Sequence, residues 1–533
     1  MKVNRILALL TAFVLALATA ACGTAGSGSG ATTVAATTAA ATAATTAAAT
    51  TTAAATTAEA EKDIVEIVYW AYPPAGDTIP SNWKDVADAL NVLSERDIGI
   101  HVDYQFKNAD QNKLSMSAGD YFDLTYTSSW FGPLYQNLVK DGMLADLTET
   151  LPSAGPEFYE FIPPNVWKAV MVDKKIYALP IYKDTSRTMY WITDKILNEQ
   201  FGLDSSTFNS FENIEPYLAK LKDYYAEQNV NRYAMYVTQN GAPGGVPTYA
   251  FDMFDNNLFI GQIIKNPDFK VVSLFEKDEF LSVLRTIRKW VQMGYVNPDG
   301  ATLKEAPKFP EAENLDDEPI GLGSPQAYYG IEALNSRFNT ATGNTRQADA
   351  TIWDGPVLST DSARGSMNAV SANSDYIEET IKFYEYMTLN VEYRNLVGFG
   401  QEGVNWEFAT PEKNTVNIIG DGWRFQRWAQ ATFFTLYPIA PLAADSWDGV
   451  KAQNDSALPA PGIGFTADLT AVADESANSK AVIMKYKDRF YLGGEDPDVI
   501  VEEMLPQLKS VGYDDIIKEI QSQYDAFRAA NPD

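Results

Sequence analysis

Residues 64–72, IVEIVYWAY, form a β-branched and aromatic run that ends at the turn residues PPAG, 73–76. This composition predicts a buried strand followed by a loop. Apolar residues at helical spacing follow between Trp83 and Leu93, and an apolar alternation around His101 predicts a second strand. Strand, helix and strand in this order indicate a βαβ unit with parallel pairing, and therefore an α/β fold.

The rest of the chain continues the alternation of helices and strands. Apolar periodicity predicts helices over residues 114–119, 215–225, 280–291 and 376–387, with a last helix around 516–527. Short apolar runs predict strands over residues 122–126, 320–323 and 351–353, the last one followed by a loop at 354–356. No internal repeat is visible, which disfavours a solenoid.

The charge balance excludes one large class of partner. The chain has 41 basic and 70 acidic residues and a formal net charge of −29. Nucleic-acid affinity comes largely from neutralisation of phosphates by Lys and Arg, so we expect no nucleic-acid partner. With 46% hydrophobic residues the chain is long enough to build its core without disulfides.

The N-terminal region predicts a lipoprotein. Residues 1–21 combine the basic Lys2 and Arg5 with an apolar run and a small-residue cleavage site, which is typical of a signal peptide. Cys22, the only cysteine, follows directly, so we expect it to carry a lipid anchor. The alternative is an ordinary secreted protein with an unmodified cysteine. Residues 22–62 are rich in Gly, Ser, Ala and Thr, which predicts a disordered tether.

The inventory of reactive side chains is poor. His101 is the only histidine, and Cys22 has no cysteine partner. Cysteine-rich zinc sites, multi-histidine sites and Ser-His-Asp triads therefore cannot be built from this chain. A phosphate-binding Gly-rich loop and a Gly-x-Ser-x-Gly turn are also absent from the sequence. We expect no enzymatic activity, no catalytic residue, no metal site and no cofactor.

Several ordered motifs resemble one known family. They are KLSMSAGDYFDLTY at 113–126, GMLADLT at 142–148, KIYALPI at 175–181, FGQEGVNWE at 399–407, PGIGFT at 461–466 and the final segment 512–527. Their order and spacing resemble extracellular solute-binding protein family 1, the sugar-binding lipoproteins of ABC importers of the multiple-sugar and maltose type.

The resemblance implies a type 2 periplasmic-binding-protein fold, in which a hinge joins two α/β lobes and the ligand lies in the cleft between them. It places the N-lobe at residues 63–181 plus 356–440 and the C-lobe at 182–355 plus 441–533. The crossovers are expected near 181–184 and 353–357.

A sugar presents apolar ring faces and hydroxyl groups, so its receptor needs flat aromatic side chains and polar partners. Such residues follow the predicted strands, where ligands of open α/β sheets bind. The candidate ligand-binding residues are Trp70, Tyr72, Ser129, Trp130, Asp184, Gln326, Tyr328, Trp353 and Trp406. Trp423, Trp428 and Trp447 are expected to be scaffold.

Structural alternatives stand beside several of these candidates. Trp70 also fits a core position, and Ser129 with Trp130 also fits helix capping and packing. Asp184 also fits a hinge salt bridge with Lys183 or Arg187. In maltose-type binders an aromatic residue stacks where this chain has Gln326, so the resemblance transfers a stacking role there only weakly.

The resemblance implies a monomeric receptor on the extracytoplasmic face of the cell membrane. It would capture a mono- or oligosaccharide and deliver it to ABC permease subunits. Three alternatives remain open at this point: a surface glycosidase with two carboxylates, a ligand sensor, and a binder of a non-sugar solute.

Overall fold

A computed structural model of the chain describes residues 64–238, 248–265, 267–305, 321–322, 346–420, 423, 425–491 and 493–531. The strands are β1 Val65–Ala71, β2 Ile100–Phe106, β3 Leu124–Thr127, β4 Leu179–Pro180, β5 Arg187–Asp194, β6 Phe251–Asp255, β7 Ile260–Ile263, β8 Val272–Ser273, β9 Gly321–Leu322, β10 Ala348–Leu358, β11 Met367–Val370, β12 Trp406–Phe408, β13 Val416–Ile418 and β14 Leu458–Pro459.

The helices divide into those before and those after β10. Before it lie α1 Trp83–Ile98, α2 Ala109–Ala118, α3 Tyr135–Lys140, α4 Leu151–Ala154, α5 Pro156–Phe161, α6 Pro164–Val170, α7 Lys195–Phe201, α8 Glu215–Glu227 and α9 Asp278–Gln292. After it lie α10 Thr360–Ala363, α11 Ile377–Leu389, α12 Val391–Phe399, α13 Ser446–Asp455, α14 Ala473–Tyr491, α15 Pro497–Ser510 and α16 Tyr513–Ala530. Short 3-10 helices include Arg427–Ala429.

The first sheet confirms the predicted βαβ unit. Its five strands have the order β2-β1-β3-β11-β4. Strand β1 pairs in parallel with β2, Val65 opposite Ile100, and with β3, Tyr69 opposite Leu124. Strand β11 is antiparallel to both β3 and β4. The carboxyl ends of β1, β3 and β4 and the beginning of β11 therefore meet at one edge of the sheet.

Two capping signals set the ends of the first helices. Helix α1 ends where Gly99 adopts a left-handed conformation with φ 74°, which glycine does without steric cost. Helix α2 begins at Ala109, earlier than predicted, because Asn108 and Gln111 form a reciprocal capping box. The apolar periodicity alone did not reveal this polar first turn.

The second sheet corrects one prediction. Its four strands have the order β14-β10-β5-β9, and β5 and β10 pair antiparallel along most of their length. The predicted short strand at 351–353 is the middle of β10, which has 11 residues. The predicted loop at 354–356 lies inside this strand, because register shifts after Ile352 and after Asp354 accommodate it. A third sheet contains β6, β7 and β8.

Three hydrophobic clusters make up most of the core. The first takes residues from Ile67 to Tyr182 and from Leu358 to Ile463, and the second takes residues from Met189 to Trp353. The third joins residues between Phe251 and Leu284 to residues between Phe465 and Tyr524. The α/β class is confirmed. The predicted lobe boundaries stay a prediction. The last of them lies between residues 440 and 441, whereas the chain passes from the first to the third cluster between Ile463 and Phe465.

The predicted signal peptide, Cys22 and the tether lie outside the described residues, and so do Gln326 and Tyr328. Within the described part of the chain, no helix combines the length and the apolar character needed to cross a bilayer.

Candidate functional site

Five aromatic side chains gather at the shared edge of the first sheet, and we call them the aromatic patch: Tyr72, Tyr126, Trp130, Phe131 and Trp428. Tyr72 directly follows β1, and its ring lies 4.8 Å from Trp428, 5.1 Å from Phe131 and 6.3 Å from Trp130 between centroids. The centroids of Trp130 and Trp428 are 5.7 Å apart. The patch thus combines a buried base, Tyr126 and Phe131, with partly exposed rings.

Trp130 is the most exposed ring of the patch, with 53% of its surface accessible. Its indole N–H donates to the carbonyl of Gly365 at 2.7 Å, and its backbone N–H donates to Oγ of Ser128 at 3.2 Å. The backbone N–H of Ser129 donates to the carbonyl of Arg364 at 2.9 Å. These bonds fix the ring while leaving it open to solvent, which is the preorganisation a ligand platform needs.

A polar cluster adjoins the aromatic patch, and we define it as Arg187, Asp252, Asp354 and Asp361. Ser129, which precedes Trp130 in the chain, donates its hydroxyl to the backbone carbonyl of Asp361 at 3.5 Å, and this bond links the segment that carries Trp130 to the cluster. Arg187 donates to the carbonyl of Tyr249 at 2.7 Å, and Lys265 forms an ion pair with Asp354. Burial lowers the pKa of Arg187, while the carboxylates of Asp354, Asp252 and Asp361 oppose that shift.

Asp361 also reaches the loop between β6 and β7. The side-chain amide of Asn256 donates to Oδ2 of Asp361 at 3.4 Å, and both residues are exposed. Carboxylate and amide groups of this kind can accept and donate hydrogen bonds to sugar hydroxyls. The aromatic patch and the polar cluster together offer flat apolar surfaces beside polar partners.

Asp252 is the buried acid of this cluster. Its Oδ2 accepts from the backbone N–H of Gly462 at 2.7 Å. Burial raises the pKa of Asp252 to about 6, although the bonds from Gly462 and Gln262 and the charge of Arg187 work in the opposite direction. Because the folded pKa is above the unfolded value of 3.8, this carboxyl favours folding most below pH 3.8, and that contribution is lost as the pH rises through 6.

Asp252→Asn should therefore raise the stability of the folded protein more at pH 7.5 than at pH 4. The amide removes a buried charge but keeps an oxygen for Gly462, so we expect a pH-dependent gain of about 1 to 2 kcal/mol. Urea unfolding at the two pH values measures it. Asp268→Asn, at a site whose side chain is 59% exposed, is the control. Equal effects of Asp252→Asn at both pH values would contradict the assignment.

The structure separates the sequence candidates into two groups. Tyr72, Ser129 and Trp130 come together at the sheet edge, as the strand-end argument predicts. Asp184 forms an ion pair with Lys183 at 2.7 Å, and both side chains are largely buried. This ion pair has the partner, Lys183, that the structural alternative for Asp184 named, and the hinge at this position stays a prediction.

Three candidate tryptophans lie in cores, away from the patch. Trp70 is 1% exposed, stacks on Phe122 at 4.4 Å and lies under the Lys107 ammonium. Trp353 is 8% exposed and packs edge-on against Tyr249 in the second cluster. Trp406 is 6% exposed and donates to the carbonyl of Gly400. In this conformation their ring faces are covered by protein, so their predicted ligand contacts gain no support.

Sequence reasoning did not name Trp428, Asp361, Arg187 or Asp252 as candidate ligand contacts. Trp428 was placed with the scaffold, since nothing local marks the segment around it. Its role depends on tertiary packing that brings Arg427–Ala429 beside Tyr72. Only the position of Asp361, three residues after the end of β10, carried a usable sequence signal.

The described residues contain no group of three or more His, Cys, Asp or Glu side chains that could hold a metal ion. His101 lies on β2, as predicted, and its Nδ1 lies 2.7 Å from Oε1 of Glu95. The side-chain amide of Asn91 lies 3.4 Å from its Nε2. Both ring nitrogens of His101 therefore have a protein partner. The histidine is part of the scaffold of the first sheet.

The chain thus combines a mixed sheet, in which β11 is antiparallel, with a path that crosses repeatedly between hydrophobic cores. A carbohydrate ABC transporter substrate-binding protein of Streptococcus pneumoniae serotype 4 is 24% identical over 468 residues, covering 84% of this chain and 89% of that protein. Residues 461–529 match the model of a domain of unknown function, DUF3502.

Solved structures give the same result. The N-glycan transport solute binding protein (NgtS) of Streptococcus pneumoniae superposes with a TM-score of 0.72 at 23% identity, covering 87% of this chain and 99% of that chain. Its complex with Man5GlcNAc gives 0.62 at 22% identity, covering 88% and 99%. The predicted resemblance to solute-binding proteins and the predicted fold are thereby confirmed.

Proposed function

We propose that this protein is an extracytoplasmic receptor that binds a neutral oligosaccharide and delivers it to an ABC importer. The observation that carries the proposal is the aromatic patch, with the exposed Trp130 beside Trp428 and Tyr72 and with Asp361 adjoining. Pyranose rings have apolar C–H faces that stack on such rings, and their hydroxyls bond to the neighbouring polar groups.

The charges around the site favour a neutral ligand. Lys265 pairs with Asp354, Lys183 pairs with Asp184, and Arg187 binds the carbonyl of Tyr249 among carboxylates. Lys265 and Lys183 are thus paired with carboxylates, and an anionic sugar would have to compete with Asp354 and Asp184 for them. The similarity to proteins named for carbohydrate and N-glycan transport supports the same class of ligand.

Titration calorimetry with a panel of solutes tests the proposal. The panel contains Man5GlcNAc, kestose, an acidic alginate oligomer and a mixture of short peptides. We expect heat of binding from at least one neutral oligosaccharide and none from alginate or peptides. Binding of peptides alone would refute the carbohydrate assignment, and binding of alginate alone would refute neutrality.

We propose that the bound sugar leaves unchanged, which distinguishes a receptor from a glycosidase. The similarity to substrate-binding proteins supports a binding role. Chromatography of the oligosaccharide after prolonged incubation with the protein should recover the original molecule. New shorter products, at a rate that depends on protein concentration, would show hydrolysis instead.

We also propose that a lipid on Cys22 holds the receptor at the membrane, because two or more acyl chains anchor a protein stably. The mass of the N-terminal peptide isolated from membranes measures this directly. An unmodified cysteine there would refute the anchor and leave the binding proposal untouched.

A further inference from the structure

Arg394 of α12 is a fully buried cation that binds a single loop. Its Nε donates to the carbonyl of Thr432 at 2.9 Å, and its Nη1 donates to Oε1 of Gln430 at 3.0 Å. Its Nη2 donates to the carbonyls of Arg427 at 2.9 Å and Ala431 at 3.2 Å. The guanidinium therefore holds four positions of the segment 427–432, on both sides of Trp428.

These partners are unusual for a buried arginine. None of the described acceptors of Arg394 is a carboxylate; all are neutral amide or backbone oxygens. Burial, and secondarily the charge of Arg427, lower the pKa of Arg394 to about 9, which still leaves the group charged at neutral pH. Hydrogen bonds from a charged donor are about twice as strong as neutral ones, so the loop is held firmly.

Neighbouring residues also help to hold the segment 427–432 in place. Gly398 lies one turn after Arg394, and a Cβ there would approach Nη1 to 3.0 Å and Leu436 Cδ2 to 2.7 Å, so glycine makes room for the guanidinium. Asn368 donates to the carbonyl of Gln430 at 3.0 Å, and Thr432 donates to the carbonyl of Tyr182 at 2.6 Å. These two bonds attach the loop to β11 and to the segment just after β4.

We propose that Arg394 is the positioning residue that sets the orientation of Trp428 in the aromatic patch. The proposal rests on the proposed function, since it takes Trp428 as a surface on which a sugar stacks. The ring of Trp428 lies 4.8 Å from Tyr72 and 5.7 Å from Trp130, so a rotation or shift of the loop would break the continuity of the aromatic patch.

Fluorine NMR of protein labelled with fluorotryptophan tests the positioning without any ligand. The Trp428 signal is identified by its loss in Trp428→Phe. We expect Arg394→Lys to shift or broaden this signal while the signal of Trp290, in the second core cluster, stays in place. Gln430→Met removes one acceptor and should produce a smaller change. If Arg394→Lys does not fold, the Gln430→Met variant is used for the same measurement. An unchanged Trp428 signal would overturn the proposal.

A double-mutant cycle with Man5GlcNAc then connects position to binding. We expect Arg394→Lys to weaken binding about 5- to 20-fold in the natural protein and less than about twofold when Trp428 is alanine. If Arg394→Lys weakened binding equally with Trp428 present and with Trp428 replaced by alanine, Arg394 would not act through Trp428, and the proposal would be overturned. Met504→Ala, in the third cluster, controls for general destabilisation and should leave the affinity unchanged. Absence of Man5GlcNAc binding by the natural protein counts against the proposed ligand, and the NMR result still decides the positioning.

Discussion

We expect Trp428→Ala to weaken oligosaccharide binding by about 2 to 3 kcal/mol, or roughly 30- to 150-fold, and Trp130→Ala to have a similar effect. Each ring offers a large flat surface, and each is already held by the loop around it, so little ordering is needed when a sugar stacks. Truncation to alanine removes this surface and leaves a sugar ring face in contact with water.

Calorimetry with the neutral oligosaccharide that binds best measures both variants. Tyr376→Ala is the matched control, because this aromatic ring is 37% exposed but is outside the aromatic patch. It should bind as the natural protein does. Natural affinity in both tryptophan variants would remove the patch from the binding site.

A second large effect is expected at Gly355, within β10. Gly355 has φ +90°, and a Cβ there would lie 2.5 Å from the carbonyl oxygen of Arg187 and 3.0 Å from Cα of Thr188. Both neighbours are backbone atoms of the paired strand β5, so they cannot move aside as a flexible side chain could. Gly355→Ala should therefore destabilise the protein by about 2 to 4 kcal/mol through the strained backbone and the overpacked strand pair.

Thermal and urea unfolding measure this loss. Gly494→Ala is the matched control, since a Cβ at Gly494 meets nothing within 4 Å and its φ is not in the left-handed region. We expect it to change stability by less than about 0.5 kcal/mol. If Gly355→Ala and Gly494→Ala gave similar unfolding curves, β10 would tolerate a side chain at position 355, and the expectation would be wrong.

The sequence predicts local elements of this protein well where apolar spacing and turn residues agree. Strand β1 and helix α1 follow from 64–72 and from the residues after Trp83, and their order indicates parallel pairing. The antiparallel placement of β11 between β3 and β4 was not predictable from spacing, because it depends on a strand more than 200 positions away along the chain. The family resemblance placed residues 356–440 in one lobe with 63–181, but it did not predict strand β11.

At the candidate site, too, local features were predictable from the sequence and long-range contacts were not. Tyr72 and Trp130 were named as candidates because they come soon after predicted strands, and the structure brings them together. Trp70 could not be separated from Tyr72, since residues 69, 70 and 71 of β1 are all buried and the strand shows no simple inward and outward alternation. A sheet covered on both faces erases that signal.

Trp428 was missed for another reason. The residues that fix its loop, above all Arg394, are separated from it by more than 30 positions. A sequence pattern gives no indication that a buried arginine will bind the carbonyls of a distant loop. Such contacts require the tertiary structure, and they give the aromatic patch its shape.

The most direct test of the account is a crystal structure of the protein with the neutral oligosaccharide that binds best in the panel. We predict a sugar ring face in contact with Trp130 or Trp428, at about 4 Å between nearest carbon atoms, and a hydroxyl within hydrogen-bond distance of Asp361. An oligosaccharide bound elsewhere, with these rings free, would contradict it.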